Sequence, residues 1–158
     1  MKKIKIIVDE IHGKNCATSF YGFELSRDAI MERLKKRQSL IEVYTDVKCV
    51  DGNIYRVFVM INTNRRPNQL KVNSYAKQSK IKLVRKKLIA ELQAYGADKK
   101  SDTFAFEIIT SSVNTLLEKV ANTVIPGCKL QVYKMKTVKR GNVDMQKLLK
   151  EAKDSGMK

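Results

Sequence analysis

Two alternating runs on either side of Asp51-Gly52-Asn53 constrain this chain more than any other feature of its sequence. Over residues 40–50, Ile41, Val43, Thr45, Val47 and Cys49 share one face. Over residues 54–63, Tyr55, Val57, Val59 and Ile61 do the same. Alternation of this kind marks strands with one buried face, and an Asp-Gly turn between two such runs marks a hairpin. A two-residue Asp51-Gly52 turn would set Lys48 opposite Tyr55 and Asp46 opposite Val57, mixing polar with apolar. A three-residue loop keeps the faces together. It pairs Val50 with Ile54, Cys49 with Tyr55, Val47 with Val57 and Val43 with Ile61, and it leaves Asp46 opposite Phe58.

The rest of the chain reads as strands and helices around this hairpin. Ile4, Ile6 and Val8 lie on a first strand, His12-Gly13-Lys14-Asn15 is a turn, and residues 16–23 form a second strand with Gly22 at a bend or bulge. Ser26 is placed to cap a helix running to about Gln38, with Asp28 in its first turn and Ile30, Met31 and Leu34 on its apolar side. Ser74 is read as the cap of the longest helix, residues 75–95, ended by Gly96 and carrying the stripe Ile81, Val84, Leu88, Leu92 and Tyr95. Residues 104–110 fit a strand or a short helix. Residues 112–123 read as a helix with Val113, Leu116, Leu117 and Val120 inward. Pro126-Gly127 turns the chain into a basic strand in which Leu130, Val132 and Lys134 alternate. Gly141 breaks that strand, and Asn142 caps a last helix with Met145, Leu148, Leu149 and Ala152. The fold class that follows is α+β: an antiparallel-rich sheet or partial β-barrel flanked by helices. Residues 1–140 form one core, and residues 141–158 a C-terminal helix packed on it or extending from it.

The charge points to a partner. The chain of 158 residues carries 32 Lys+Arg against 16 Asp+Glu, a net +16, with 43% hydrophobic residues to build a core. So large a surplus calls for a polyanion. The bases are spread over the whole chain rather than gathered on one amphipathic helix or tail, which favours nucleic acid over a membrane surface. The longest apolar run, residues 57–61, is far too short to span a bilayer. The three cysteines, Cys16, Cys49 and Cys128, suit buried thiols rather than a disulfide frame.

The densest cationic segment is the loop holding Arg65, Arg66, Asn68, Gln69 and Lys71 together with the helix after it. That helix brings Tyr75, Lys77, Lys80, Lys82, Arg85, Lys86 and Lys87 before its first acid, Glu91. Bases three and four apart on a rigid rod can reach successive phosphates, arginines add forked contacts, and Tyr75 with the amides can stack and hydrogen-bond. A run of bases is by default a solvated helix face, but such a face normally carries balancing acids, and this one has none from Ser74 to Ala90. Lys14 and Asn15 form a turn whose lysine can touch a phosphate. Asp46-Val47-Lys48 has the form of a D-x-K nuclease triplet, but the acids Asp9, Glu10 and Glu42 make no compelling arrangement with it, and a cross-strand charged patch with Arg56 explains it as well. With a single histidine, His12, and no Cys-x-x-Cys, the sequence holds neither a zinc motif nor the parts of a His-dependent triad, and no glycine-rich phosphate loop occurs.

An ordered series of residues carries a family likeness. It starts with Gly13-Lys14-Asn15-Cys16, Thr18, Phe20, Gly22, Leu25, Arg27 and Asp28. It continues through Lys36, Gln38, Leu40-Ile41-Glu42, Asp46-Val47-Lys48, Asp51-Gly52, Arg56 and Phe58 to Arg65-Arg66-Pro67-Asn68-Gln69, Ser74-Tyr75-Ala76, Ile81 and Arg85-Lys86-Lys87. Together these closely resemble the archaeal and eukaryotic small-subunit ribosomal protein family eS1 (older name S-three-a). The match is strong over residues 4–88 and weaker through Glu118-Lys119, Pro126, Val132, Lys134 and Lys136.

The resemblance implies a structural protein on the platform of the small subunit near the mRNA exit, without catalysis or cofactor. Its implied partners are small-subunit rRNA, neighbouring platform proteins and messenger RNA near the exit, with no membrane. The implied location is cytoplasmic and ribosome-bound, with assembly beginning in the nucleolus in a eukaryote. It assigns Asp46-Val47-Lys48 to the family pattern rather than to a nuclease, and it implies a helix over residues 104–110. Family members usually carry a further segment before the position matching Met1 and often a longer C-terminal tail, so the chain reads either as a compacted relative or as an incomplete product. The alternatives from the residues alone are a free RNA-binding or RNA-maturation protein and, more distantly, a metal-dependent nuclease.

Overall fold

The computed structural model describes residues 1–12 and 14–141, with His12 described by its backbone alone. The expected C-terminal helix, with its Asn142 cap, lies outside the described residues. The elements run β1 (Lys2–His12), β2 (Asn15–Leu25), α1 (Arg27–Met31), β3 (Leu40–Lys48), β4 (Ile54–Thr63), α2 (Gln78–Ala97), α3 (Ser101–Ile109), α4 (Ser112–Asn122) and β5 (Cys128–Lys139). The five strands form one open antiparallel sheet in the order β1-β2-β5-β4-β3. The architecture is therefore α+β, an antiparallel sheet that does not close, with helices packed on it.

The alternation in β3 and β4 buries the side chains it assigns inward. Ile41, Val57, Val59, Ile61 and Val47 are fully enclosed, with Val84, Leu88 and Leu92 of α2 and Val113, Leu117 and Ala121 of α4 packed in the same core. The β3–β4 register differs from expectation by two residues. Val47 pairs with Tyr55, Thr45 with Val57, Val43 with Val59 and Asp46 with Arg56. An even shift preserves the faces, so apolar matching alone could not detect it. The wider connection, residues 49–53, is fixed by other bonds. Val50 N–H leaves the ladder for the carbonyl of Lys99 at 3.1 Å, and Asp51 accepts from Ser101 N–H at 2.7 Å. The shift also brings Arg56 onto both carboxylate oxygens of Asp46, at 2.6 and 2.7 Å.

Ser26 caps α1 through its hydroxyl, which accepts from Ala29 N–H at 3.4 Å. The helix stops at Met31 instead of reaching Gln38. Met31 and Leu34 are half exposed, so further turns would bury little. The carbonyl of Arg33 is taken by the side-chain amide of Asn62, and Arg37 adopts φ 62° and redirects the chain. Ser74 is not a helix cap. It bridges to Gln38, its N–H donates to the carbonyl of Arg37 at 2.9 Å, and its carbonyl accepts from the Thr63 hydroxyl. The helix consequently begins at Gln78.

Gly96 does not terminate α2. It lies buried in the last turn, where a Cβ would stand 1.9 Å from Cγ1 of Val47, so the glycine sets how closely α2 approaches β3. Residues 101–109, ambiguous from their pattern, form a helix whose Phe104, Ala105 and Ile108 join the core, as the family resemblance implies. In α4, Val113 and Leu117 point inward as expected, whereas Leu116 is exposed and Val120 only partly buried.

β5 enters between β2 and β4. It pairs with β4 along its length, but with β2 only at Lys134, Met135 and Lys136. A bulge at Tyr133 breaks the expected alternation, so that Met135 rather than Lys134 is buried. Where β2 does not reach, α4 supplies the missing acceptors. Asn114, Glu118 and Asn122, spaced one turn apart, accept from the N–H groups of Val132, Leu130 and Cys128 at 3.3, 2.9 and 2.9 Å. A polar helical stripe thus closes half a strand edge. Cys49 and Cys128 are buried, and burial pushes both thiols up to about 11, while Cys16 is exposed.

Candidate nucleic-acid interface

Residues 64–77 leave β4 and return to α2 without regular structure, yet they are closely held. Thr63 N–H donates to Ser39 O at 3.2 Å, Asn64 N–H to Gly127 O at 3.3 Å, and Ala76 N–H to the Ser39 hydroxyl at 3.1 Å. Asn64 accepts from the side-chain amide of Gln38 at 3.0 Å. Inside the loop, Arg65 donates through Nε and Nη2 to the carbonyl of Gln69, at 3.0 and 2.7 Å. Gln69 in turn donates to the carbonyls of Lys71 and Asn73, both at 2.8 Å. Arg65 and Gln69 therefore brace the loop, whereas Arg66, Asn68, Lys71 and Tyr75 stand exposed around it.

The braced loop and the start of α2 enclose a groove of about 620 Å³. Arg66, Lys71, Lys77 and Lys80 line it with Asn68 and Tyr75, and Ile125 and Pro126 contribute apolar surface. Tyr75 is 65% exposed, so its ring is available for stacking. The helix start adds to the positive potential. Lys77 occupies the N-cap without a side-chain cap bond, and the first turn holds no acid. A cation at that end opposes the helix dipole, a local rule broken where the chain concentrates positive charge.

Further along α2 the bases divide. Arg85 donates to the carbonyl of Glu42 on β3 at 3.2 Å, and Lys87 to the Thr123 hydroxyl beyond α4 at 3.2 Å, while Lys82 and Lys86 remain exposed. Lys14 and Asn15 are not part of this cluster. They sit at the β1–β2 tip, whereas the groove opens beside the β4 terminus at Thr63, and α2 packs against β3 on the other edge of the sheet. Sequence reasoning took Pro126 for a turn residue only and did not place Ile125, Asn64 or Asn73 at the groove. Nothing in the local pattern links residues 125–126 to residues 64–77; the strand pairing of Thr63 with Cys128 does. The Asp46 carboxylate is fully engaged by Arg56, whose hydrogen bond holds it below the ordinary carboxylate value; the D-x-K triplet is thus a charged cross-strand pair.

A braced cationic groove at the end of an open α+β sheet, continued by a helix without acids in its first turns, is a surface whose charge suits a polyanion. Residues 1–141 match the model of the Ribosomal S3Ae family. The chain is similar to the small ribosomal subunit protein eS1 of Theileria annulata, 33% identical over 155 residues, covering 98% of this chain and 59% of that protein. It is 35% identical over 148 residues to the small ribosomal subunit protein eS1 of Babesia bovis, covering 94% and 56%. With that of Theileria parva it shares 32% identity over 155 residues, covering 98% and 59%. The chain belongs to the Ribosomal S3Ae family, a family of ribosomal structural components and not of enzymes. It spans somewhat more than half the length of these relatives.

Proposed function

We propose that the chain is a structural constituent of the small ribosomal subunit and that the groove between residues 64–77 and the start of α2 is its principal contact with rRNA. The observation that carries this reading is the groove's uncompensated charge: Arg66, Lys71, Lys77 and Lys80 line it with no acidic residue among the lining side chains. Lys82 and Lys86 extend the contact along the helix, Arg85 and Lys87 border it, and Lys14 with Asn15 makes a separate touch on RNA from the β1–β2 tip. Arg65 and Gln69 act by holding the loop's shape. The location on the platform near the mRNA exit, with neighbouring platform proteins and messenger RNA as further partners, follows from the family resemblance. The same resemblance supports a ribosome-bound life in the cytoplasm, with assembly starting in the nucleolus if the source is a eukaryote.

Sedimentation tests this reading. The protein is expected to stay with small subunits through a high-salt wash, whereas a free RNA-binding or maturation factor washes off. Arg66→Glu with Lys80→Glu is expected to leave the fold intact, because both side chains are exposed, and to abolish incorporation into subunits. Normal incorporation of that variant would place the rRNA contact elsewhere.

A further inference from the structure

The solvent face of the sheet carries a row of three aromatic rings that the groove does not use. Tyr44 on β3 and Phe58 on β4 stand opposite each other in the register, with ring centroids 6.2 Å apart. The bulge in β5 turns Tyr133 to the same side, 6.0 Å from Phe58. The helices α2 and α4 pack on the opposite face. On the ring side, among the described residues, the segment after α1 covers the end near Asn62 and Gln131 through Arg33. Tyr44 is left 67% exposed, and Phe58 and Tyr133 half-buried.

Solvent-facing strand positions are ordinarily polar, and three adjacent rings on three adjacent strands form a patch that calls for a partner. The charges around the rings indicate which one. Arg56 is matched by Asp46 and Lys134 by Glu24, while Glu42 stands exposed on the same face, two residues before Tyr44. Among the described residues Lys48 and Lys136 make no ion pair within 4 Å, although Lys136 lies within electrostatic reach of Asp46, and the Lys136 ammonium stands 5.7 Å over the Phe58 ring. Lysines are depleted at protein–protein interfaces, whereas rings interleaved with cations suit RNA. The spacing selects the form of the RNA. Bases in a duplex hide their faces in the stack, so exposed rings about 6 Å apart suit bases splayed from a single strand.

We infer that this face binds single-stranded RNA, its bases stacking on Tyr44, Phe58 and Tyr133 and its phosphates meeting Lys136 and Lys48. The site is separate from the groove and stands without it.

The test uses the purified chain, a labelled oligouridine and an RNA duplex of equal length. Tyr44→Ala, at an exposed position, should weaken oligouridine binding about five- to hundred-fold, with Tyr44→Phe close to wild type. Duplex affinity and the salt dependence of oligouridine binding should stay unchanged, since no phosphate contact is lost. Arg66→Glu in the groove should lower the salt dependence instead, so the two sites fail distinguishably. Thermal unfolding of each variant checks the fold. In small subunits, ultraviolet crosslinks from Tyr44 to rRNA or to messenger RNA both support the site and tell which strand occupies it. The inference is overturned if Tyr44→Ala combined with Tyr133→Ala binds oligouridine like wild type, if single strand and duplex are lost equally, or if Tyr44 crosslinks only to a neighbouring protein.

Discussion

Replacing Gly96 by alanine sets two effects against each other with opposite signs. In the interior of a helix, Gly→Ala is ordinarily stabilising by roughly 0.5–1 kcal/mol, because the unfolded chain loses freedom. Here the new methyl would lie 1.9 Å from Cγ1 of Val47, with Val47 Cβ at 3.4 Å and Phe104 Cε2 at 3.7 Å. Val47 is fully buried on β3 and β-branched, so it cannot swing aside cheaply, and Phe104 is fully buried behind it. Overpacking of this kind costs about 1–3 kcal/mol. The clash outweighs that gain over most of these ranges, leaving a net destabilisation of up to about 2.5 kcal/mol. For a chain of this length that lowers Tm by several degrees. Urea unfolding of Gly96→Ala, Val47→Ala and the double variant isolates the contact. Val47→Ala removes the obstructing methyl, so the double variant should be more stable than the sum of the singles by about 0.5–3 kcal/mol. Strict additivity, or a Gly96→Ala protein more stable than wild type, would refute the idea that this glycine exists for close helix–strand approach.

Asn114→Ala should destabilise by about 1–3 kcal/mol, because it leaves the buried N–H of Val132 without an acceptor; chemical denaturation measures it. Glu107 accepts from Lys99 and from the Tyr95 hydroxyl at 2.8 Å. The Lys99 hydrogen bond holds its carboxyl below the ordinary value of 4.5, against the opposing effect of burial. A depressed carboxylate stabilises above its unfolded pKa, and the benefit is lost as pH falls through the folded one. The Tm gap between wild type and Glu107→Gln should therefore close on acidification below 4.5, and a gap unchanged there would contradict this. A thiol reagent should label Cys16 in the native protein and reach Cys49 and Cys128 only on unfolding, as mass spectrometry can read. RNA affinity should fall about a thousandfold between 50 and 200 mM salt if ~6 phosphates are neutralised, and a titration with no salt dependence would exclude a groove of this kind.

Periodicity made the core legible. The stripe of α2 and the inward faces of β3 and β4 follow from spacing alone, because burial depends on which side a residue faces. What spacing could not supply was anything set by contacts distant in sequence. The β3–β4 register depends on Val50 and Asp51 bonding to residues 99 and 101, and an even shift leaves the apolar faces matched. That shift also hid the ring row: with Val50 opposite Ile54, Tyr44 would face Met60 rather than Phe58. Ser74 has the residue type of a cap, but its backbone is committed to Arg37 and Thr63. The basic loop was legible as charge. The division of labour within it, with Arg65 bonded to Gln69 and bracing the loop while Arg66 lines the groove, was not, since both arginines look alike in sequence.

The placement of β5 has a bearing on how the chain comes together during synthesis. The hairpins β1–β2 and β3–β4 are each local in sequence and can close as soon as they emerge. Neither touches the other along a ladder; the strand that joins them, residues 128–139, is translated after both and must insert between them. Until then a nascent chain displays four strand edges instead of two, with the core face of each hairpin uncovered. The helix α4 precedes β5 directly and carries the side chains that dock it, so the final insertion is guided by a neighbour already on hand.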